Sequence, residues 1–135
     1  MVMTATLCLA TAIFFEARNQ TIDGMYAVGD VVLNRVEHSR FPDSVCGVVF
    51  EPSAFSFTHD GASDDMKQYT THHDSVARKV AITIAEDLLS GVTLVGTTAT
   101  HYHATYVKPF WADHESFTME GQVGDHIFYT CSGFC

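Results

Sequence analysis

Basic residues are scarce in this chain: 7 Lys and Arg stand against 16 Asp and Glu in 135 residues, a formal net charge of -9. Nucleic-acid binding depends on clustered Lys and Arg that displace phosphate counterions, so the composition speaks against that partner and against an anionic membrane surface. Metal signatures are missing too, since no C-x-x-C, H-E-x-x-H or H-x-E spacing occurs. No G-x-S-x-G elbow is present for a serine nucleophile. The first fifteen residues form an uncharged, apolar stretch, short of the about 20 apolar residues that a membrane span needs. The acidic balance itself identifies no substrate. The length and the 47% hydrophobic content fit one globular domain, 1–135, with a real core and no room for a second module.

That uncharged stretch has the apolar character of a secretory signal, and Ala10-Thr11-Ala12 would serve as a cleavage site. The basic n-region of a signal is absent, however. Thr4–Ala17 is therefore read as a buried first helix of the fold. Thr21 is a candidate N-cap for an amphipathic helix through Met25, Val28, Val31, Val32 and Val36, ending near His38. Asp43 is expected to cap a short helical turn through Val45, Val48 and Val49, stopped by Pro52. Residues 53–71 lack periodicity and read as a long surface loop. Asp74 opens a further helix with Val76, Val80, Ile84, Leu88 and Leu89 on one face, and Gly91 sits where a left-handed C-terminal residue belongs. Alternation within 98–107 and 126–130 predicts two short strands.

Glu16 follows directly on the uncharged stretch, in Ala12-Ile13-Phe14-Phe15-Glu16-Ala17-Arg18. A carboxyl held against aliphatic and aromatic side chains loses hydration of its charged form, so it stays protonated nearer neutrality and can act as a general acid. A helix end, with Glu16 merely the first solvated residue, is the plainer alternative. No other Asp or Glu stands in a comparably apolar context; Asp23 and Asp30, the nearest, read as helix-surface residues.

The histidines and cysteines leave alternatives open. In His101-Tyr102-His103 a strand points both imidazoles to one face, where a zinc-dependent amidase could use them, although no third ligand is evident. His72 and His73 at a helix start cannot both face one ion easily. Cys8 and Cys46, in apolar surroundings, are expected to be small core residues. Cys131 and Cys135, with Gly133 between them, suit a terminal disulfide in an oxidising compartment or a pair of reduced thiols.

The order of blocks is more specific than any one of them. Phe14-Phe15-Glu16-Ala17-Arg18, Gly24-Met25-Tyr26-Ala27-Val28, Val31-Val32-Leu33-Asn34-Arg35-Val36, Phe41-Pro42-Asp43-Ser44-Val45-Cys46-Gly47-Val48-Val49 and Ala54-Phe55-Ser56-Phe57 are followed by Thr100-His101-Tyr102-His103-Ala104, Val107, Pro109, Trp111-Ala112 and Gly124-Asp125-His126-Ile127-Phe128-Tyr129. This succession resembles the SleB-type cell wall hydrolase family of spore-cortex-lytic enzymes and phage lysins, over nearly the whole chain. The resemblance implies an α+β, mostly helical, lysozyme-like single domain with a small antiparallel β element. It implies a lytic transglycosylase acting on bacterial peptidoglycan at the MurNAc-GlcNAc β-1,4 bond. Glu16 would be its acid and base, and the products would carry 1,6-anhydromuramic ends. No cofactor or metal is expected, and a monomer is. The lack of a recognisable signal and of a wall-binding module suits a phage lysin released through a membrane pore.

One departure stands out: the family's E-A-R-G-E reads Glu16-Ala17-Arg18-Asn19-Gln20 here. On a continuing helix Gln20 would lie at i+4 from Glu16 and could hydrogen-bond its carboxyl. Phe55, Ser56, Tyr102 and Trp111 are candidate saccharide contacts, with His101 and His103 flanking the sugar. Phe57 and Phe128 are expected in the core, and His126 is expected to make a structural hydrogen bond. Asn34-Arg35 either supports Glu16 or caps a turn. A glycan-binding module without catalysis would keep the aromatic residues but would not need an acid against Ile13 and Phe14.

Overall fold

The computed structural model describes residues 3–133 and 135. Its centre is α1, Ala5–Ala17, started by the Thr4 hydroxyl, which accepts from the Leu7 N–H at 3.2 Å. Cys8, Leu9, Ala10, Ala12, Ile13 and Phe14 are all fully buried, because α2 (Ile22–Glu37), α3 (Val45–Val49) and α4 (His72–Leu89) surround α1. A helix wrapped on most sides needs no polar face, which explains the uncharged N-terminal stretch. Among the described residues no helix is long and apolar enough to cross a membrane.

The caps differ from those expected at two helices. Ser44, not Asp43, caps α3 by accepting from Gly47 N–H at 3.0 Å. Thr71 caps α4 by accepting from Asp74 N–H at 3.0 Å. In both cases the hydroxyl stands three residues before the amide it serves, which is the reach of an N-cap. Asp74 lies inside the first turn, where its carboxylate faces the positive helix end and pairs with Arg18 at 3.6 Å. Gly91 does close α4: at φ +92 it donates to Leu88 O, and Val92 N donates to Asp87 O at 2.9 Å.

Three strands, not two, form an antiparallel sheet in the order β1-β3-β2: β1 His101–Ala104, β2 Phe117–Val123 and β3 His126–Cys131. The alternation that should mark β2 is broken by a register shift between Met119 and Gly121. Residues 53–71 also depart from the expected open loop. They form the 3₁₀ turns Ser56–His59 and Met66–Gln68, and Phe55, Phe57 and Met66 from this segment are buried against the helices. A smaller cluster of Ala27, Val31, Ala99 and Phe128 joins α2 to the sheet.

All four cysteines are oxidised. Cys131 and Cys135 are bridged across a Cα separation of 6.0 Å, as one of the sequence readings had it. Cys8 and Cys46 are not separate core thiols: a disulfide with a Cα separation of 5.2 Å joins α1 to α3. The apolar surroundings that suggested burial describe Cys8 well, but they are silent on what packs against it.

Candidate active site

Glu16 occupies the last turn of α1, half-buried, and accepts a short hydrogen bond at Oε1 from the Tyr102 hydroxyl. Tyr102 reaches it from the middle of β1, and α2 holds that strand in place. Asn34 donates both amide hydrogens, to Thr97 O and Ala99 O, each at 2.8 Å. The Arg35 Nε–H donates to Thr100 O at 2.7 Å. One turn earlier Asp30, expected on the helix surface, is buried and accepts from the Thr93 hydroxyl at 2.8 Å and from Gly96 N–H at 2.9 Å. Apolar periodicity does not reveal such a residue, because its partners, a hydroxyl and two backbone amides, lie more than sixty positions away. The Asn34-Arg35 pair thus divides its work: the amide ties down the segment before β1, and the guanidinium faces the acid.

Burial raises the Glu16 pKa above the ordinary glutamate range, while the Tyr102 hydrogen bond and the positive charge of Arg35 pull the other way. Arg35 is itself buried, its pKa lowered by desolvation, and its guanidinium lies 4.9 Å from the Phe41 ring centre and 5.2 Å from that of Phe55. A cation held between aromatic faces keeps its charge with little water. Burial therefore shifts Glu16 toward its protonated form, and Tyr102 and Arg35 stabilise its carboxylate.

Tyr102 and Arg35 line a cleft of about 560 Å³, with Glu51, Pro52–Ala54, His101 and Trp111 among its other walls. The Glu16 carboxyl stands one hydrogen bond behind that wall. Glu51 is a carboxylate that sequence reasoning passed over; it pairs with Arg40 at 3.4 Å and sits in a Glu-Pro-Ser turn with no apolar signature. Phe110 was also passed over, yet it is 95% exposed at the mouth of the cleft.

The remaining expected site residues separate into groups. Trp111 lines the cleft as anticipated. Phe55 does not offer a sugar platform: it is buried beneath Arg35 and stacked near Phe57. Ser56 is exposed at the start of its 3₁₀ turn, away from the residues that line the cleft. Phe57 and Phe128 are in the core, as expected. Gln20 does not reach Glu16, because α1 ends at Ala17; its side chain clasps the β2–β3 turn instead, accepting from Asp125 N–H at 3.0 Å and donating to Asp125 Oδ2 at 3.3 Å. His126 is buried, but among the described residues its Nδ1 has no hydrogen-bond partner, and its ring lies 4.8 Å from that of Tyr102.

His101 and His103 do share one face of β1, on the side opposite Tyr102, and both contact Trp111. Burial, reinforced by the charges of Arg35 and Arg40, pushes His101 down to about 4. His103 donates its Nδ1–H to Ala104 O at 2.8 Å, which leaves Nε2 to accept from the Tyr129 hydroxyl at 2.9 Å. Both of its nitrogens are engaged. Among the described residues no three His, Cys, Asp or Glu side chains converge as a metal-binding group. His73 lies elsewhere, bonded to Asn19 at 3.2 Å.

A desolvated carboxyl at the end of a buried helix, bonded to a strand tyrosine beside an open cleft, has the surroundings that a general acid requires. A family model described as cell wall hydrolase matches residues 19–129, and the chain belongs to that family. The matched segment begins past Glu16. The spore cortex-lytic enzyme of Oceanobacillus iheyensis is 47% identical over 120 residues, covering 89% of this chain and 39% of that protein. Its counterpart from Halalkalibacterium halodurans is 32% identical over 120 residues, covering 89% of this chain and 33% of its own length. The chain thus spans about two fifths or less of the length of these curated relatives. The catalytic domain of the germination-specific lytic transglycosylase SleB from Bacillus anthracis aligns with a TM-score of 0.71 at 27% identity, over 98% of this chain and 97% of that one. The Bacillus cereus SleB catalytic domain gives 0.66 at 28% identity, over 95% and 89%. The α+β fold expected from the sequence is the fold of these domains.

Proposed function

We propose that this domain cleaves the glycan of bacterial peptidoglycan as a lytic transglycosylase, with Glu16 as its acid and then its base. The observation that carries the reading is the Glu16 carboxyl itself, its pKa raised by burial and its oxygen hydrogen-bonded to Tyr102 beside the cleft. Glu16 gives its proton to the glycosidic oxygen as the bond to muramic C1 breaks, and Tyr102 and Arg35 stabilise the carboxylate left behind. The muramic 6-hydroxyl then attacks C1, and its proton returns to Glu16. An intramolecular nucleophile has a large advantage in effective molarity over water. Fragments should therefore end in 1,6-anhydromuramic acid, lighter by one water than reducing ends. Glu16→Gln should abolish cleavage, because the amide keeps the shape without an acidic proton.

Mass spectrometry of digests made with wild type and Glu16→Gln tests both points. Reducing muramic ends would point to Glu51, the carboxylate that lines the cleft, as the base that activates a water; the two-carboxylate mechanism needs a partner about 5 to 9.5 Å from the acid. A Glu16→Gln variant that still lyses walls would remove Glu16 from the acid role. Two disulfides support action outside the cytoplasmic membrane, where such bonds persist. We infer a monomer that works without a metal or cofactor; lysis unchanged by prolonged chelation is the expected result, and zinc-restored activity would favour the amidase through His101 and His103.

A further inference from the structure

A second cavity, of about 540 Å³, adjoins the cleft and shares Arg40, His101, Phe110, Trp111 and Cys135 with it. It runs outward past His114, Phe117 and Gly133. Aromatic rings dominate it. Phe110 is 95% exposed and so has no packing role. Trp111 is braced edge-on by His101 at 5.4 Å and lies 4.9 Å from Phe117, so its orientation is fixed before any ligand arrives. His114 takes the Ser116 N–H at its Nδ1, at 3.1 Å, and among the described residues its other nitrogen is not engaged. Arg40 is already paired with Glu51. A ligand with an apolar face and neutral hydroxyl or acetamido groups suits these walls better than an anion, and an N-acetylhexosamine has both features.

The outer wall is the C-terminal disulfide ring. Cys131 ends β3 opposite Phe117 of β2, and Ser132 N donates to Ser116 O at 2.8 Å, so one side of the ring is anchored to the sheet. Gly133, at φ +99, turns the chain, and the bond to Cys131 brings Cys135 back against both cavities. Cross-linking residues four apart restrains the unfolded chain less than a long-range bond does, and this bond also has a local consequence: it fixes where Cys135 stands. We propose that Gly133 and Cys135, held in place by the Cys131–Cys135 disulfide, are the wall of a saccharide subsite built on Phe110 and Trp111, which holds an N-acetylhexosamine of the glycan beyond the bond being cut. This rests on the glycan-cleaving reading above and adds a binding element to it.

Trp111 is the chain's one tryptophan, so tryptophan emission reports on sugar held against its ring, in this cavity or in the adjoining cleft. Titrating the inactive Glu16→Gln variant with tetra-N-acetylchitotetraose should give a saturable change in that emission. Adding Cys131→Ser with Cys135→Ser should weaken the affinity roughly three- to tenfold, the equivalent of one stacking contact. Phe110→Ala, at a position too exposed to disturb the core, should do the same. No emission change up to millimolar sugar would overturn the subsite, and equal affinity in the ring-opened variant with an unchanged circular dichroism spectrum would overturn its wall. Lysis by the Glu16→Gln variant alone would refute the acid assignment while leaving a positive titration standing.

Discussion

A single hydroxyl sets how far the acid of this site can be pushed. The Tyr102 hydrogen bond favours the ionised form of Glu16, against the burial that favours the protonated form. Tyr102→Phe removes the first influence and keeps most of the second, so the Glu16 pKa should rise further. Because the first step needs the protonated acid, activity falls as pH rises through that pKa, and the alkaline limb of kcat/KM should move to higher pH in the variant. A limb that stayed in place or moved down would show that some other group controls ionisation. The variant should also be slower at its optimum, since the carboxylate left after protonation has lost a donor; one such donor is commonly worth about 2 to 3 kcal/mol when the acceptor is charged and buried. The apolar neighbours of Glu16 singled it out but left a solvated helix end open beside a buried acid, and the order of blocks tipped the reading. Arg35 was offered as its support only as one of two readings and Tyr102 not at all, for both become partners only when β1 docks on α2, and nothing local in either sequence block encodes that contact.

Among the elements, the helices were readable because their period and hydroxyl caps are local, whereas the sheet was half-readable. β1 and β3 alternate cleanly, but the irregularity at Met119 to Gly121 hides β2. The segment 53–71 looked polar because its buried residues, Phe55, Phe57 and Met66, are spaced by 3₁₀ turns and not by a regular period. Gln20 shows how an element boundary changes a residue's role. Had α1 continued, the amide would have stood beside Glu16; since it stops at Ala17, the amide fastens the β2–β3 turn to the end of the helix that carries the acid. Gly124 fits this arrangement, being at φ +57 where a Cβ would come within 2.6 Å of Gln20 Oε1. Gln20→Ala should therefore destabilise the fold by about 1 kcal/mol, the usual worth of a hydrogen bond in a mutational series. It should also speed amide exchange at Asp125 in particular. Unchanged exchange there would mean that the turn holds itself without the clasp.

At the scale of the molecule, the Cys8–Cys46 disulfide connects the two parts that make the site. Cys8 lies on α1 eight residues before Glu16, about 12 Å along the helix axis. Cys46 lies on α3, and the chain leaving α3 supplies Glu51 and Pro52–Ala54 to the cleft wall. The bond thus ties the helix bearing the acid to the segment facing it. It closes a far longer loop than the terminal bridge, 38 residues of separation against 4. In the chain-entropy description such a loop is worth about 4 kcal/mol and the short one about 2. Cys8 is also fully buried, so truncating it leaves a small void in the core that adds to the loss. Cys8→Ala with Cys46→Ala is accordingly expected to lower Tm on the order of 10 °C, and the Cys131→Ser, Cys135→Ser pair to lower it by no more than half as much. Differential scanning calorimetry of the two variants under oxidising conditions separates them. Equal losses would mean that loop length does not govern the stabilisation and that strain or residual unfolded structure does. A larger loss from the terminal pair would mean that the ring at Cys135 holds the sheet together and does more than shape the cavity beside Trp111.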